Sequence, residues 1–180
     1  MYGLVNASLM QLVVEQHGQS VWDRIAHAAQ FHDGTFNKMQ SYPDSLTYDL
    51  VGFASAELNM TPDDFLRALG TYWVSFTAQQ GYGHLFEVAG PSLRDFLFSL
   101  DELHVRVGRS FLNLRPPSFR FENTGASTLR MHYLSTRNGL CPFVIGLLEG
   151  LATRFDTPLR VAHTTCAREG ADHCQFELGF

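Results

Sequence analysis

Cys141, Cys166 and Cys174 are the only cysteines of the chain, and all three fall after residue 140. His163-Thr164-Thr165-Cys166 pairs an imidazole with a thiol at the end of a predicted strand. Cys174 opens the partner strand across a short hairpin, and Cys141 precedes an apolar stretch. Two or three thiolates with one imidazole form a ligand set for tetrahedral zinc. Cys141 and Cys174 read equally well as small buried apolar residues, with His163 solvated. His173, beside Cys174, competes for the imidazole place. An odd number of late cysteines makes a poor disulfide framework and fits a reducing compartment, where thiols serve metal or redox chemistry.

Two further patterns carry candidate chemistry. Tyr133-Leu134-Ser135-Thr136-Arg137 alternates two hydroxyls and a guanidinium. On a strand such residues share a face, and together they suit a carboxylate or phosphate. The same spacing also describes the polar, wet face of an ordinary strand. His104 lies on an apolar helical stripe among Leu100, Leu103 and Val107. A lone histidine there is either a hydrogen-bonded core residue or an axial ligand to a metal or haem iron.

The elements that must position these residues follow from periodicity and punctuation. Helices are predicted over 3–16, 20–30 and 45–56, with a loop-like stretch over 31–43. Thr61-Pro62-Asp63-Asp64 is a helix start, with a capping hydroxyl, proline in the first turn and acids at the positive end. That helix carries Phe65, Leu66, Leu69, Trp73 and Phe76, and Gly81 and Gly83 are expected to end it. Gly90-Pro91-Ser92 starts the next, where Ser92 and Asp95 have capping-box-like spacing. After Arg115-Pro116-Pro117 the pattern changes to alternation. Strands are predicted over 118–122 and 128–135 around an Asn123-Thr124-Gly125 turn, then a helix over 142–155. Strands over 159–166 and 173–178 flank a second hairpin. The fold class is therefore α+β: an N-terminal helical lobe, then a four-stranded antiparallel sheet with a packed helix.

Composition narrows the function classes. With 180 residues, 45% hydrophobic, the chain can bury a sizeable core as one domain. There are 13 Lys+Arg against 18 Asp+Glu and no basic run, so nucleic-acid binding has no electrostatic footprint. No apolar run approaches the roughly 20 residues of a membrane helix. Met1-Tyr2-Gly3-Leu4-Val5-Asn6 lacks the layout of a signal peptide, and the expected location is cytoplasmic. No Gly-rich phosphate loop or nucleophile elbow suggests catalysis, so no enzyme activity is expected.

Met1-Tyr2-Gly3, Asp101-Glu102-Leu103-His104, Arg115-Pro116-Pro117, Tyr-x-Ser-x-Arg at 133–137 and Gly146-Leu147-Leu148-Glu149-Gly150 together resemble the H-NOX domains. These are haem-nitric oxide/oxygen-binding sensors related to the haem domain of soluble guanylate cyclase. The resemblance covers essentially the whole chain. It implies one domain over 1–180, with a helical distal lobe over about 1–60 and haem-binding helices with the sheet lobe over about 61–180. It implies haem b between the lobes, with His104 as the proximal iron ligand and Tyr133, Ser135 and Arg137 holding the propionates. Pro117 matches the proline that presses on the macrocycle. A bacterial subset of the family carries zinc at positions matching Cys141, His163, Cys166 and Cys174.

The resemblance also bears on the gas. Oxygen-binding members use a distal Tyr as donor, and Phe143 stands in that place here. No Tyr or His occurs from Asn138 to Phe155. Leu4, Leu9, Trp73 and Phe143 are the expected apolar distal wall. Bound O2 carries partial negative charge and needs a donor more than NO or CO does, so a sensor of NO, also binding CO, is expected. NO would weaken the His104–iron bond, and relaxation against Pro117 would rotate the lobes. The expected partner is a separate effector, a histidine kinase or cyclic-di-GMP enzyme. The competing reading is a zinc/thiol redox sensor whose cysteine oxidation sets the output.

Overall fold

The computed structural model describes residues 1–109 and 115–180. Among them run helices α1 (Gly3–His17), α2 (Gln19–Ala28), α3 (Asp44–Glu57) and α4 (Pro62–Thr77). A wide turn over Ala78–Tyr82 leads to α5 (Gly83–Val88) and then α6 (Leu93–Gly108). Strands β1 (Ser118–Gly125) and β2 (Thr128–Leu134), helix α7 (Cys141–Arg154), and strands β3 (Arg160–Thr165) and β4 (Cys174–Gly179) complete the fold. The sheet order is β1-β2-β4-β3, with every neighbouring pair antiparallel. The α+β class is as the alternation after residue 117 implies.

The helix starts follow local chemistry. Thr61 accepts a hydrogen bond from the Asp64 N–H at 3.1 Å, with Pro62 in the first turn. Ser92 accepts from the Asp95 N–H at 3.2 Å and donates to the Asp95 carboxylate at 2.6 Å.

Three details depart from the sequence reading. The helical path breaks at Gly81, as expected, where φ is +89°, but a further short helix not read from the sequence, α5, starts at Gly83. Strand β1 runs through Asn123 to Gly125 with a register shift between them, so the turn falls at 126–127. Strand β2 stops at Leu134, which leaves Ser135 and Arg137 beyond its end.

Two cores form. One gathers α1 to α3 and one face of α4, including Leu9, Trp22, Ile25, Leu50 and Phe65. The other joins α6, α7 and one sheet face through Leu97, Met131, Leu148, Phe176 and Leu178. Each fully buried side chain of this kind contributes about 1.5–3 kcal/mol. The helical core also takes in Phe65, Leu66, Leu69 and Phe76 of α4, which follows the expected lobe boundary near residue 60. No helix among the described residues is long and apolar enough to cross a membrane.

Candidate functional site

Between the two cores lies a cavity of about 320 Å³, at the lower end of the roughly 300–1,000 Å³ typical of ligand sites. Its lining is chiefly apolar and comes from α1, α4, α6, α7 and the sheet. Leu4, Trp73 and Phe143 line it, as do His104, Pro117, Tyr133, Ser135 and Arg137. Leu9 does not. It is fully buried in the helical core, on the side of α1 that meets its own lobe. Periodicity shows which face of a helix is apolar, not which of two apolar surroundings it meets.

His104 projects from α6 against Phe119, ring centroids 5.8 Å apart. Its Nδ1 is buried and has no hydrogen-bond partner among the described residues. Burial favours the neutral imidazole and holds its pKa below the ordinary value, against the opposing pull of Asp101 and the Pro117 carbonyl. Asp101, one turn earlier, accepts from the Phe119 N–H at 2.7 Å and from the Ser118 hydroxyl at 2.9 Å. These bonds fix α6 against the start of β1 and so set where His104 stands.

Tyr133 is buried at the end of β2, and burial pushes its phenol up to about 12. It is a neutral donor at physiological pH. Arg137 donates to the Asp44 carboxylate at 2.9 Å and to the Arg115 carbonyl at 2.8 Å. The Arg137 N–H donates to Ser135 Oγ at 3.0 Å. Asp44 also binds the N-terminal ammonium. No sequence signal pointed to Asp44, which lies 93 residues from Arg137.

These residues fit haem. The imidazole nitrogen lacks a partner, the chamber is apolar, and phenol, hydroxyl and guanidinium stand together at its rim, where carboxylates need compensation.

A second cluster lies at the start of α7. The ligand atoms of Cys141, His163, Cys166 and Cys174 all lie within 4.8 Å of one another. Cys141 Sγ is 2.9 Å from Cys174 Sγ and 3.9 Å from Cys166 Sγ. His163 Nε2 is buried with no partner among the described residues, and its ring stacks on Phe176 at 4.5 Å. In a regular strand His163 and Cys166 would face opposite sides. A register shift between His163 and Thr165 brings both to one side. Burial and neighbouring Cys174 push the Cys141 thiol well up. Burial also acts to raise Cys166, but hydrogen bonds from Arg168, Cys141 and Cys174 outweigh it and lower the thiol. The donor types and their closeness fit a tetrahedral zinc ion, which would deprotonate its thiols. His173 is not part of the cluster: its Nε2 lies 2.8 Å from Nδ1 of His132.

A helical lobe closed over a sheet, with an apolar chamber and a half-buried imidazole on its wall, defines a ligand-binding α+β domain. The chain belongs to the haem-NO-binding family, the H-NOX domains, whose model matches residues 2–163. Haem is the group this family binds. The chain is 34% identical over 161 residues to soluble guanylate cyclase gcy-35 of Caenorhabditis elegans, covering 87% of this chain and 23% of that protein. It is 34% identical over 157 residues to gcy-32 of the same animal, covering 86% of this chain and 23% of that protein. The chain thus spans under a quarter of these relatives, and their catalytic activity is not carried over. Its fold matches the H-NOX protein from S. oneidensis in the Fe(II)NO ligation state with TM-score 0.91 and 25% identity, covering 99% of this chain and 98% of that one. A mutant of that protein in the Fe(II) state matches with TM-score 0.92 and 25% identity, covering 99% and 95%.

Proposed function

We propose that this chain is a haem-based sensor of nitric oxide that discriminates against O2 and reports to a separate signalling protein. The observation that carries the reading is the His104 imidazole, its buried Nδ1 without a hydrogen-bond partner among the described residues, on the wall of an apolar cavity rimmed by Tyr133, Ser135 and Arg137. Bound haem would supply a ferrous iron that takes a diatomic gas as a ligand. His104 would hold that iron through a neutral imidazole, and Tyr133, Ser135 and Arg137 would hold the acidic tails of the haem. Leu4, Trp73 and Phe143 would exclude water, and Pro117, which lines the same cavity, would press on the group.

Selectivity rests on Phe143. A phenylalanine offers no hydrogen bond to a ligand with partial negative charge, so O2 gains less there than NO or CO. His104 also carries the signal. Weakening of its tether by NO would free α6 and let the packing of α6 and Pro117 against the cavity shift, rotating one lobe against the other. The receiver is a histidine kinase or a cyclic-di-GMP enzyme, and the setting is cytoplasmic. The alternative, a zinc/thiol redox sensor, is favoured by the three thiols gathered with His163. Spectra of the reduced protein under argon, air, CO and NO, with zinc analysis, test both. NO and CO should shift the haem bands while air leaves the ferrous spectrum until slow oxidation. Tight, reversible O2 binding would overturn NO selectivity. Output that follows peroxide and zinc release but not NO would favour the thiol reading.

A further inference from the structure

The residues that join the end of β2 to the cysteine cluster have no regular structure. Strand β2 ends at Leu134 and α7 begins at Cys141, so Ser135 to Leu140 lie between elements. Gly139 takes φ +82° there. With no ladder or helical turn to place it, this strap depends on side chains for its position. Two of its ties come from α3. The Asp44 carboxylate accepts from Arg137 Nε at 2.9 Å, and the Tyr48 hydroxyl donates to the Asn138 carbonyl at 2.8 Å.

Asp44 and Tyr48 stand one turn apart on α3 and so share a face. Their partners, Arg137 and Asn138, are consecutive, so the two ties act on one short stretch of backbone. Helix α3 belongs to the helical core through Leu50, Val51 and Ala54, whereas Cys141, at the end of the strap, is buried in the sheet core. The ties therefore cross from one lobe to the other. Burial and the Asp44 charge raise the Tyr48 phenol, with Arg137 pulling the other way, so all three groups share one neighbourhood and the phenol stays a neutral donor. Arg137 lines the cavity, and neither Asp44 nor Tyr48 does.

We infer that Tyr48 is a positioning residue: by holding the Asn138 carbonyl beside the Asp44–Arg137 pair, it fixes the Arg137 guanidinium at the rim of the cavity. This rests on the haem reading and deepens it, since Arg137 is the cation that would meet an acidic tail of the group. Without the phenol, the Asn138 carbonyl turns to water and the strap gains freedom on both sides of it. Arg137 then keeps Asp44 as a partner but samples a wider range of positions.

The test is Tyr48→Phe, which removes one hydroxyl and keeps the ring. Transfer of haem from the loaded protein to excess apomyoglobin should speed about two- to fivefold, the lower part of the span of one neutral hydrogen bond. Water competes for this bond, because Tyr48 is 37% exposed. The propionate bending bands of the resonance Raman spectrum should shift while the iron–histidine band stays in place. In an Arg137→Gln background the same substitution should have no further effect, because Tyr48 acts through that guanidinium. Unchanged haem loss and propionate bands in Tyr48→Phe would overturn the inference, as would an effect of equal size in the Arg137→Gln background. The haem-free protein gives a readout that does not depend on the haem reading: the Arg137 Nε–H should exchange with solvent faster in Tyr48→Phe than in the wild type. A folded chain that takes up no haem would remove the haem reading, and unchanged exchange at Arg137 would then overturn the positioning role as well.

Discussion

Asp101 shows how one carboxylate decides where another residue acts. It bridges α6 to the Phe119 N–H and the Ser118 hydroxyl, one turn from His104. Asp101→Ala leaves a part-buried N–H without a partner, at a cost of about 1–3 kcal/mol. The expected result is a lower Tm in thermal unfolding of the haem-free protein, and an unchanged Tm would contradict the role. Asp44 offers a pH test. Burial acts to raise its carboxyl, but the N-terminal ammonium and Arg137 outweigh it and hold the pKa below the ordinary 3.8. The folded protein then binds fewer protons than the unfolded chain in the acid range. The stabilisation is complete above the ordinary value and is lost as pH falls through the folded one. Asp44→Asn should therefore lower Tm at neutral pH, with the gap to wild type closing below about pH 4. A gap independent of pH would place the effect elsewhere.

At the scale of elements, the crossing of α4 and α7 shapes the cavity. A Cβ on Gly146 would lie 1.9 Å from the Arg67 carbonyl oxygen, and one on Gly70 would lie 2.2 Å from that of Phe143. The two backbones touch, and Thr71 donates to the Gly146 carbonyl at 3.2 Å across the contact. Gly146→Ala must push the helices apart. Overpacking of this kind costs about 1–3 kcal/mol, and thermal unfolding should show a lowered Tm. The same glycine is visible in the sequence as part of Gly146–Gly150, but its backbone partner is not. Thr61 and Ser92 were legible as caps because capping is local chemistry. The wide turn and α5 were not, because Gly81 and Gly83 read as a stop. The cysteine–histidine cluster was legible from residue types, whereas the register shift that unites His163 with Cys166 depends on the partner strand. Arg137 was legible as a carboxylate-gripping side chain. Its hold on Asp44 was not, since nothing local links α3 to the segment after β2.

On the scale of the whole molecule, both candidate sites join separate parts of the chain. The cysteine cluster ties the start of α7 to the β3–β4 hairpin, where Gly170 takes φ +93°. Arg168 in that hairpin binds Asp63 at the start of α4 at 3.0 and 3.2 Å. The pair is well exposed and is worth no more than about 1 kcal/mol, so it orients the hairpin without holding the lobes together. A bound metal would contribute far more. Elemental analysis should find one zinc per chain, and removing it with a chelator should lower Tm. A chain without zinc, or with a Tm indifferent to the chelator, would leave the cluster as buried thiols alone. The central claim is that His104 moors a haem iron between the lobes. Resonance Raman spectroscopy of the reduced, gas-free protein measures that bond directly. The account predicts an iron–histidine vibration in the wild type that vanishes in His104→Gly and returns at a changed frequency with added imidazole. A colourless protein, or the same band persisting in the variant, would contradict it.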